Sequence, residues 1–227
     1  MSENRKTARI VGLLFITATV AYSLSVILLD PILGASDYLT SVSENENQMV
    51  IGSFLVLIDA VAVAGIGIMI YPILKKQNEA LALGYAGARI AEGVLFTINV
   101  IAILTLLALG QEFLKAGTPV ASYYQTFGTI LLAAGDLAFL FGFAVAFTIS
   151  ALILNYLLYR SRLVPRWLSG WGFIGVALLW VYYLLEPFNI DLLGILFIPI
   201  AVQEMVFALW LVVKGFDSSA IASASAK

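Results

Sequence analysis

Six apolar runs take up almost all of this chain, and a chain built that way has few ways to fold. They cover roughly residues 10–29, 49–74, 80–110, 126–158, 167–186 and 190–213. A helix that crosses the hydrocarbon of a bilayer needs about 20 mainly apolar residues. Within lipid, each backbone N–H and C=O must find its partner inside the spanning element, which leaves helices and closed barrels. Runs of this length predict an all-α, polytopic membrane protein with six transmembrane helices. The composition agrees, with 62% of the 227 residues hydrophobic and 11% charged, where soluble domains carry about 25% charged residues.

The connections follow from local punctuation. Asp30-Pro31 is expected to end the first span, because proline cannot continue a helix and disfavours helix in the residue before it. "SVSENENQ" reads as a polar, turn-like loop, and "KKQNE" as a tight link between spans two and three. "QEFLKAGTPVASYY" joins three to four, "RSRLVPR" joins four to five, and Glu186-Pro187 separates five from six. Spans three and four exceed what a bilayer requires, so they are expected to tilt, kink or project beyond the lipid. No small-residue cleavage site closes the first run, which points to a retained span. The expected organisation is an N-terminal segment (1–9), a six-helix membrane domain (10–214) and a disordered tail (215–227), whose "DSSAIASASAK" is small and polar.

Basic residues set the expected orientation. With the N-terminus inside, Arg5, Lys6, Arg9, Lys75, Lys76, Arg160, Arg162, Arg166, Lys214 and Lys227 are all cytoplasmic, and Lys115 alone is outside. The positive-inside rule therefore predicts that both termini are cytoplasmic. Trp167 and Trp171 then suit the inner interface, and Trp180, Tyr182 and Tyr183 lie nearer the outer one. The expected setting is a cell membrane, with the bilayer itself as the first partner. No sequence repeat relates the two three-span halves. Cys and His are both absent. That excludes disulfides, thiol nucleophiles, Cys/His metal sites and histidine-ligated haem. No cofactor or metal is expected, and no basic patch recommends nucleic acid.

Five ionisable residues fall deep within the spans: Asp59, Arg89, Glu92, Asp136 and Glu204. Each lies about nine to twelve residues from an end of its helix, near the midplane at about 1.5 Å per residue. Each costs roughly 2.5–3.5 kcal/mol on insertion scales, so five facing lipid would oppose insertion by more than about 10 kcal/mol. They are expected to face the bundle interior and one another. One cation among four acids leaves a formal −3, which a dry interior will not hold. Protons, a cation, a cationic ligand or water must join them.

Arg89 and Glu92 stand three residues apart and share a helix face. Tyr85, Phe96 and Asn99 continue that face as a polar-aromatic stripe. Two readings stand side by side. Arg89 is an interhelical staple, with Asp59 as its expected partner, or the stripe lines a pocket. Asp136 sits in "AAGDLAFLFGF", where Phe139 and Phe143 follow on the same face and offer aromatic walls above an acid. Pro199 removes a backbone hydrogen bond and is expected to kink the sixth span just before Gln203 and Glu204. Near Asp59, Ala60, Ala64 and Gly67 give small-residue spacing for close helix packing.

Catalytic patterns are weak. The Gly-x-Gly-Asp of di-aspartate intramembrane proteases is not met, since "AAGD" has Ala133 where Gly is needed. Ser169 has no His or evident Lys base, and no phosphate loop is present. Glu92 and Asp136 are the pair of carboxylates available for general acid/base chemistry on a lipid.

Four segments carry a resemblance: "RKTARIVGLLFI", "GARIAEGVL", "LVPRWLSGWGFIG" and "FIPIAVQEMVFALWLVVKGF". In this order, over about residues 7–216, the chain resembles a prokaryotic family of multi-spanning membrane proteins named domain of unknown function 4386. The resemblance implies an integral membrane protein of bacterial or archaeal type. It brings no substrate, cofactor or catalytic residue, although Arg89, Glu92, Gln203 and Glu204 lie inside the matching motifs. "VPRWLSGWG" has a local explanation too: Pro165 starts a helix and the two Trp anchor an interface.

The functional expectation is a membrane protein that binds or transports a small cationic or amphipathic molecule at a buried site. Its candidate residues are Arg89, Glu92, Asp136, Glu204, Asp59, Tyr85, Asn99 and Gln203. The alternatives are an intramembrane lipid-modifying enzyme using paired carboxylates, and a structural or sensory protein whose polar core only fixes helix packing. The sequence says nothing of oligomeric state.

Overall fold

The structure, a computed structural model, describes residues 3–116, 121–185, 188 and 194–225. Helix dominates, and no strand occurs among the described residues. Nine α-helices are described: α1 (Glu3–Leu33), α2 (Tyr38–Glu44), α3 (Glu46–Leu74), α4 (Glu79–Ala116), α5 (Ala121–Leu140), α6 (Thr148–Ser161), α7 (Arg166–Leu185), α8 (Gly194–Val213) and α9 (Ser218–Ser225). A π-helical segment, Phe141–Phe147, joins α5 to α6 without a break. Six spans are long and apolar enough to cross a membrane: α1, α3, α4, the continuous α5–π–α6 rod, α7 and α8. Each corresponds to one of the six apolar runs.

The spans close a ring in chain order. α3 packs on α1 and α4, α4 on the α5–π–α6 rod, α6 on α7, α7 on α8, and α8 back on α1. A small apolar cluster of Phe147, Val176, Leu179 and Ile200 ties the rod to α7 and α8, and two larger ones fill the ring at different heights. One gathers Val11, Phe15, Ile70, Leu158, Phe207 and Leu211 towards the Lys75 and Arg160 end. The other gathers Leu29, Met49, Val56, Phe96, Ile103 and Leu106 towards the Asp30 end. Between these levels α4 carries Arg89 and Glu92.

The α3/α4 seam is the closest approach that matters for the site. A Cβ on Gly93 would fall 2.6 Å from the Ala60 carbonyl oxygen, and one on Gly67 would fall 2.8 Å from Arg89 Cβ. Without hydrogen-only side chains at these two places, the helices could not approach so closely. The small-residue spacing near Asp59 thus serves to seat α3 against the Arg89 face of α4.

Several boundaries differ from the sequence reading. α1 runs through Pro31 to Leu33, three residues past Asp30. Proline in a last turn costs a single internal hydrogen bond, and the Gly34 N–H still donates to Asp30 O at 2.9 Å. Part of the expected polar loop is the helix α2, whose Leu39 and Val42 are buried. α1 also begins at Glu3, so Arg5, Lys6 and Arg9 are helical. The connection of residues 186–193, apart from Phe188, lies outside the described residues, as do residues 117–120 and 226–227.

The tail differs most. Its composition reads as disordered, yet Ser218–Ser225 is helical. Asp217 caps that helix, accepting from the N–H groups of Ser219 (2.8 Å) and Ala220 (3.2 Å) and from the Ser219 hydroxyl. These donors, led by the Ser219 hydroxyl, hold the Asp217 carboxyl below the usual carboxylate range. The Asp217 N–H donates to Leu163 O at 2.9 Å, and Ile221 is buried beside Leu163 and Phe216. One apolar anchor and one cap outweigh a composition that has little intrinsic order.

Candidate functional site

Arg89 is the centre of the bundle, and its guanidinium is fully engaged. Nη1 donates to both carboxylate oxygens of Glu92, at 3.1 and 3.3 Å. Nη2 donates to Glu204 Oε1 at 3.0 Å, and Nε donates to the Tyr85 hydroxyl at 3.3 Å. Three rings flank the cation, with centroids 5.2 Å (Phe147), 5.3 Å (Phe15) and 5.8 Å (Tyr85) from Cζ. Cation–π contact of this kind compensates a cation removed from water. The planar fork matches carboxylate geometry as an ammonium would not.

The pair is deeply enclosed. Arg89 retains 2% of its surface and Glu92 1%, while the Glu204 side chain keeps 20%. Beside them lies a cavity lined by α1, α3, α4, the π segment and α8. Arg89, Glu92, Glu204 and Asp59 supply its ionisable groups, and Thr19 and Tyr22 its hydroxyls. Asp59 is 4% exposed. Among the described residues it makes no ion pair and no hydrogen bond, in contrast to the expected Arg89 partnership. One cation facing three carboxylates leaves a formal −2 around this space.

The cavity is small. It admits the centres of water-sized spheres over about 60 Å³. A water needs roughly 10–15 Å³ on that measure, so the space holds a handful of waters or one small ion. Among the described residues no group of three or more Asp or Glu side chains is placed to hold a metal ion.

Of the eight residues singled out in the sequence, five line or form this centre: Arg89, Glu92, Glu204, Asp59 and, through its hydroxyl, Tyr85. Asn99 and Gln203 are buried but turned elsewhere. Asn99 Nδ2 donates to Gly135 O at 3.0 Å and ties α4 to α5. Gln203 Nε2 donates to Leu168 O at 3.2 Å and ties α8 to α7. Asp136 does not join the cluster, which corrects the expected convergence of all five ionisable residues. It is exposed and lines a second, larger cavity of about 440 Å³, together with Asp30, Asn99, Tyr182 and Tyr183. Gly135 packs against Asn99, seven residues beyond Glu92 on α4, so Asp136 stands about 10 Å nearer the Asp30 end than the cluster, an offset that counting from helix ends does not reveal.

Four aromatic residues stand between the two cavities. Tyr22 lines both, Phe139 the Asp136 side, and Phe96 and Phe143 the Arg89 side. Tyr22 stacks on Phe139 at 5.5 Å and Phe139 on Phe96 at 5.0 Å. Phe143 contacts Tyr22, Phe96 and Phe139 and continues to Phe147 and Phe197. Tyr22, Thr19, Phe15 and Phe147 were not singled out as site residues. Helical spacing would have found the first two with Phe15, since positions 15, 19 and 22 share a face.

These features define a class: a six-span helical membrane protein with an Arg/Glu pair buried inside the bundle. The family described as Domain of unknown function (DUF4386) matches residues 10–215, and the chain belongs to it. No curated protein and no solved structure matches the chain.

Proposed function

We propose that this protein binds a small cation in the Arg89 cavity and carries it across the bilayer. The observation that carries this reading is the state of Asp59. It is a buried carboxylate without an ion pair among the described residues, facing a space with room for little beyond water or a small ion. A buried charge of that kind is compensated by a proton or by a bound cation. The solutes that fit are a hydrated proton or a cation of ammonium size. Arg89 is the fixed framework of the site, Glu92 and Glu204 hold it, and Asp59 receives the cation. The second cavity, with Asp30 and Asp136, supplies an acid-lined approach that raises local cation concentration.

The basic side chains support an orientation. Arg5 donates to the Val213 carbonyl, and Arg162, Arg166 and Lys214 line one surface hollow beside it. We read this end as cytoplasmic, with both termini there, in a cell membrane.

The test is uptake of methylammonium, and in parallel of protons, into liposomes holding the full chain. Wild type is expected to show uptake above protein-free liposomes, and Asp59→Asn to lose it while Gln203→Ala keeps it. Uptake unchanged in Asp59→Asn, or absent in wild type for both probes, overturns the reading.

A second reading has an observation of its own. Every Arg89 nitrogen has a hydrogen-bond partner, which suits an interhelical staple that fixes helix register. In that case Arg89→Ala unfolds the bundle and no cation crosses in any variant.

A further inference from the structure

The two acid-lined cavities meet at a single shared side chain, Tyr22, and that junction is filled by rings. We infer that Tyr22 and Phe143 determine which solutes pass between the Asp136 cavity and the buried Arg89 site. The inference rests on the reading that a cation occupies the Arg89 cavity.

Three features place the selection there. First, the partition is a packed aromatic layer, with Tyr22, Phe139, Phe96 and Phe143 in successive ring contact. A solute crosses it only when a ring turns aside, so passage is limited to species of a few atoms. Second, ring faces carry negative charge and attract cations while repelling anions. Carboxylates on both sides of the partition, Asp136 and Asp59, act with the same sign. A cation that sheds water to pass exchanges hydration for ring faces. An anion meets repulsion at every stage. Third, Phe143 lies within the π-helical segment Phe141–Phe147. Such i→i+5 segments are rare and occur often at functional sites. Phe143 contacts five other rings, so its displacement opens the whole layer.

The chain contains no cysteine, so an introduced thiol is the only one to react. Ala18, on the Arg89 side, is buried, and Val26, on the Asp136 side, is half-buried; they lie on α1 either side of Tyr22. The full chain in liposomes carries Ala18→Cys or Val26→Cys. Each is treated with the cationic 2-aminoethyl or the anionic 2-sulfonatoethyl methanethiosulfonate. The thiol at 26 is expected to react readily. The thiol at 18 is expected to react slowly, and faster with the cationic reagent by about tenfold or more, the range in which a cleft of one charge sign raises encounter. Adding Phe143→Ala is expected to speed labelling at 18, as for a thiol limited by access, without changing the rate at 26. Phe143→Leu serves the same comparison with less loss of packing. Equal rates at 18 and 26 with Phe143 present, or no acceleration in either Phe143 variant, overturns the inference. Equal reaction of both reagents at 18 overturns the selection by charge. Labelling reads access and needs no transport, so the expected labelling with no methylammonium or proton uptake removes the transport reading and leaves the partition standing.

Discussion

Arg89 Nη2 and Glu204 Oε1 lie 3.0 Å apart on helices that are not ring neighbours. α4 and α8 are separated on either side by other spans, so this ion pair reaches across the bundle instead of along a seam. It sets the spacing of the cavity that the pair borders.

Arg89→Ala is expected to be the most damaging single change in the bundle. It strands Glu92 and Glu204 without their cation, and breaking a buried pair from one side costs about 3–5 kcal/mol. Arg89→Lys is expected to recover only part of this, since an ammonium cannot serve Glu92, Glu204 and the Tyr85 hydroxyl with the same planar fork. Thermal unfolding in mild detergent, with the variants compared side by side, measures both effects.

The two neighbouring acids should respond oppositely to loss of charge. Glu92→Gln removes charge-assisted hydrogen bonds to Arg89 and is expected to cost about 1.5–3 kcal/mol. Asp59→Asn replaces a buried carboxyl that has no ion pair among the described residues with a neutral amide of the same shape, so it is expected to leave stability unchanged or raised. If Asp59→Asn melts as low as Glu92→Gln, then Asp59 is bound into the same network.

Two glycines on α4 make a paired test of helix packing. Gly93→Ala places a methyl 2.6 Å from the Ala60 carbonyl, and overpacking of this kind costs about 1–3 kcal/mol. Gly87→Ala meets nothing within 4 Å and is expected to stabilise the helix by about 0.5–1 kcal/mol. Opposite shifts in melting temperature confirm the α3/α4 seam, and equal shifts refute it.

The cap on α9 has a defined pH dependence. Only the ionised Asp217 carboxylate accepts from the Ser219 hydroxyl and the Ala220 and Ser219 N–H groups, so its folded value lies below the unfolded one of about 3.9. Its contribution is therefore complete above the unfolded value and is lost as pH falls through the folded one. Amide exchange protection at Ser219 and Ala220, corrected for intrinsic rates, should fall below about pH 4 in wild type and show no such step in Asp217→Asn.

The six spans were legible because bilayer thickness imposes a length that sequence displays directly. The Arg89–Glu92 pair was legible for a similar reason, since residues three apart on a helix must share a face. Glu204 could be placed at the right depth from its distance to the helix end. Asp136 could not, because the Asn99–Gly135 contact sets it about two helical turns beyond Glu92, against another cavity. The π segment left no mark, because "FGFAVAF" reads equally well as ordinary helix. The helix α9 escaped because its order comes from one buried isoleucine and one cap, and composition averages over both.

The closing of the ring in chain order has a consequence for synthesis. Glu204 follows Arg89 by 115 residues, which at about 5–20 residues per second is roughly 6–23 seconds of translation. Through that interval Arg89 has Glu92 as its carboxylate, one turn away on the same helix, so α4 enters the membrane as a self-neutralised unit. α1, made before α4, waits longer still for α8. The centre of this protein therefore forms late: neither the ring nor the cavity is complete until α8 has been made.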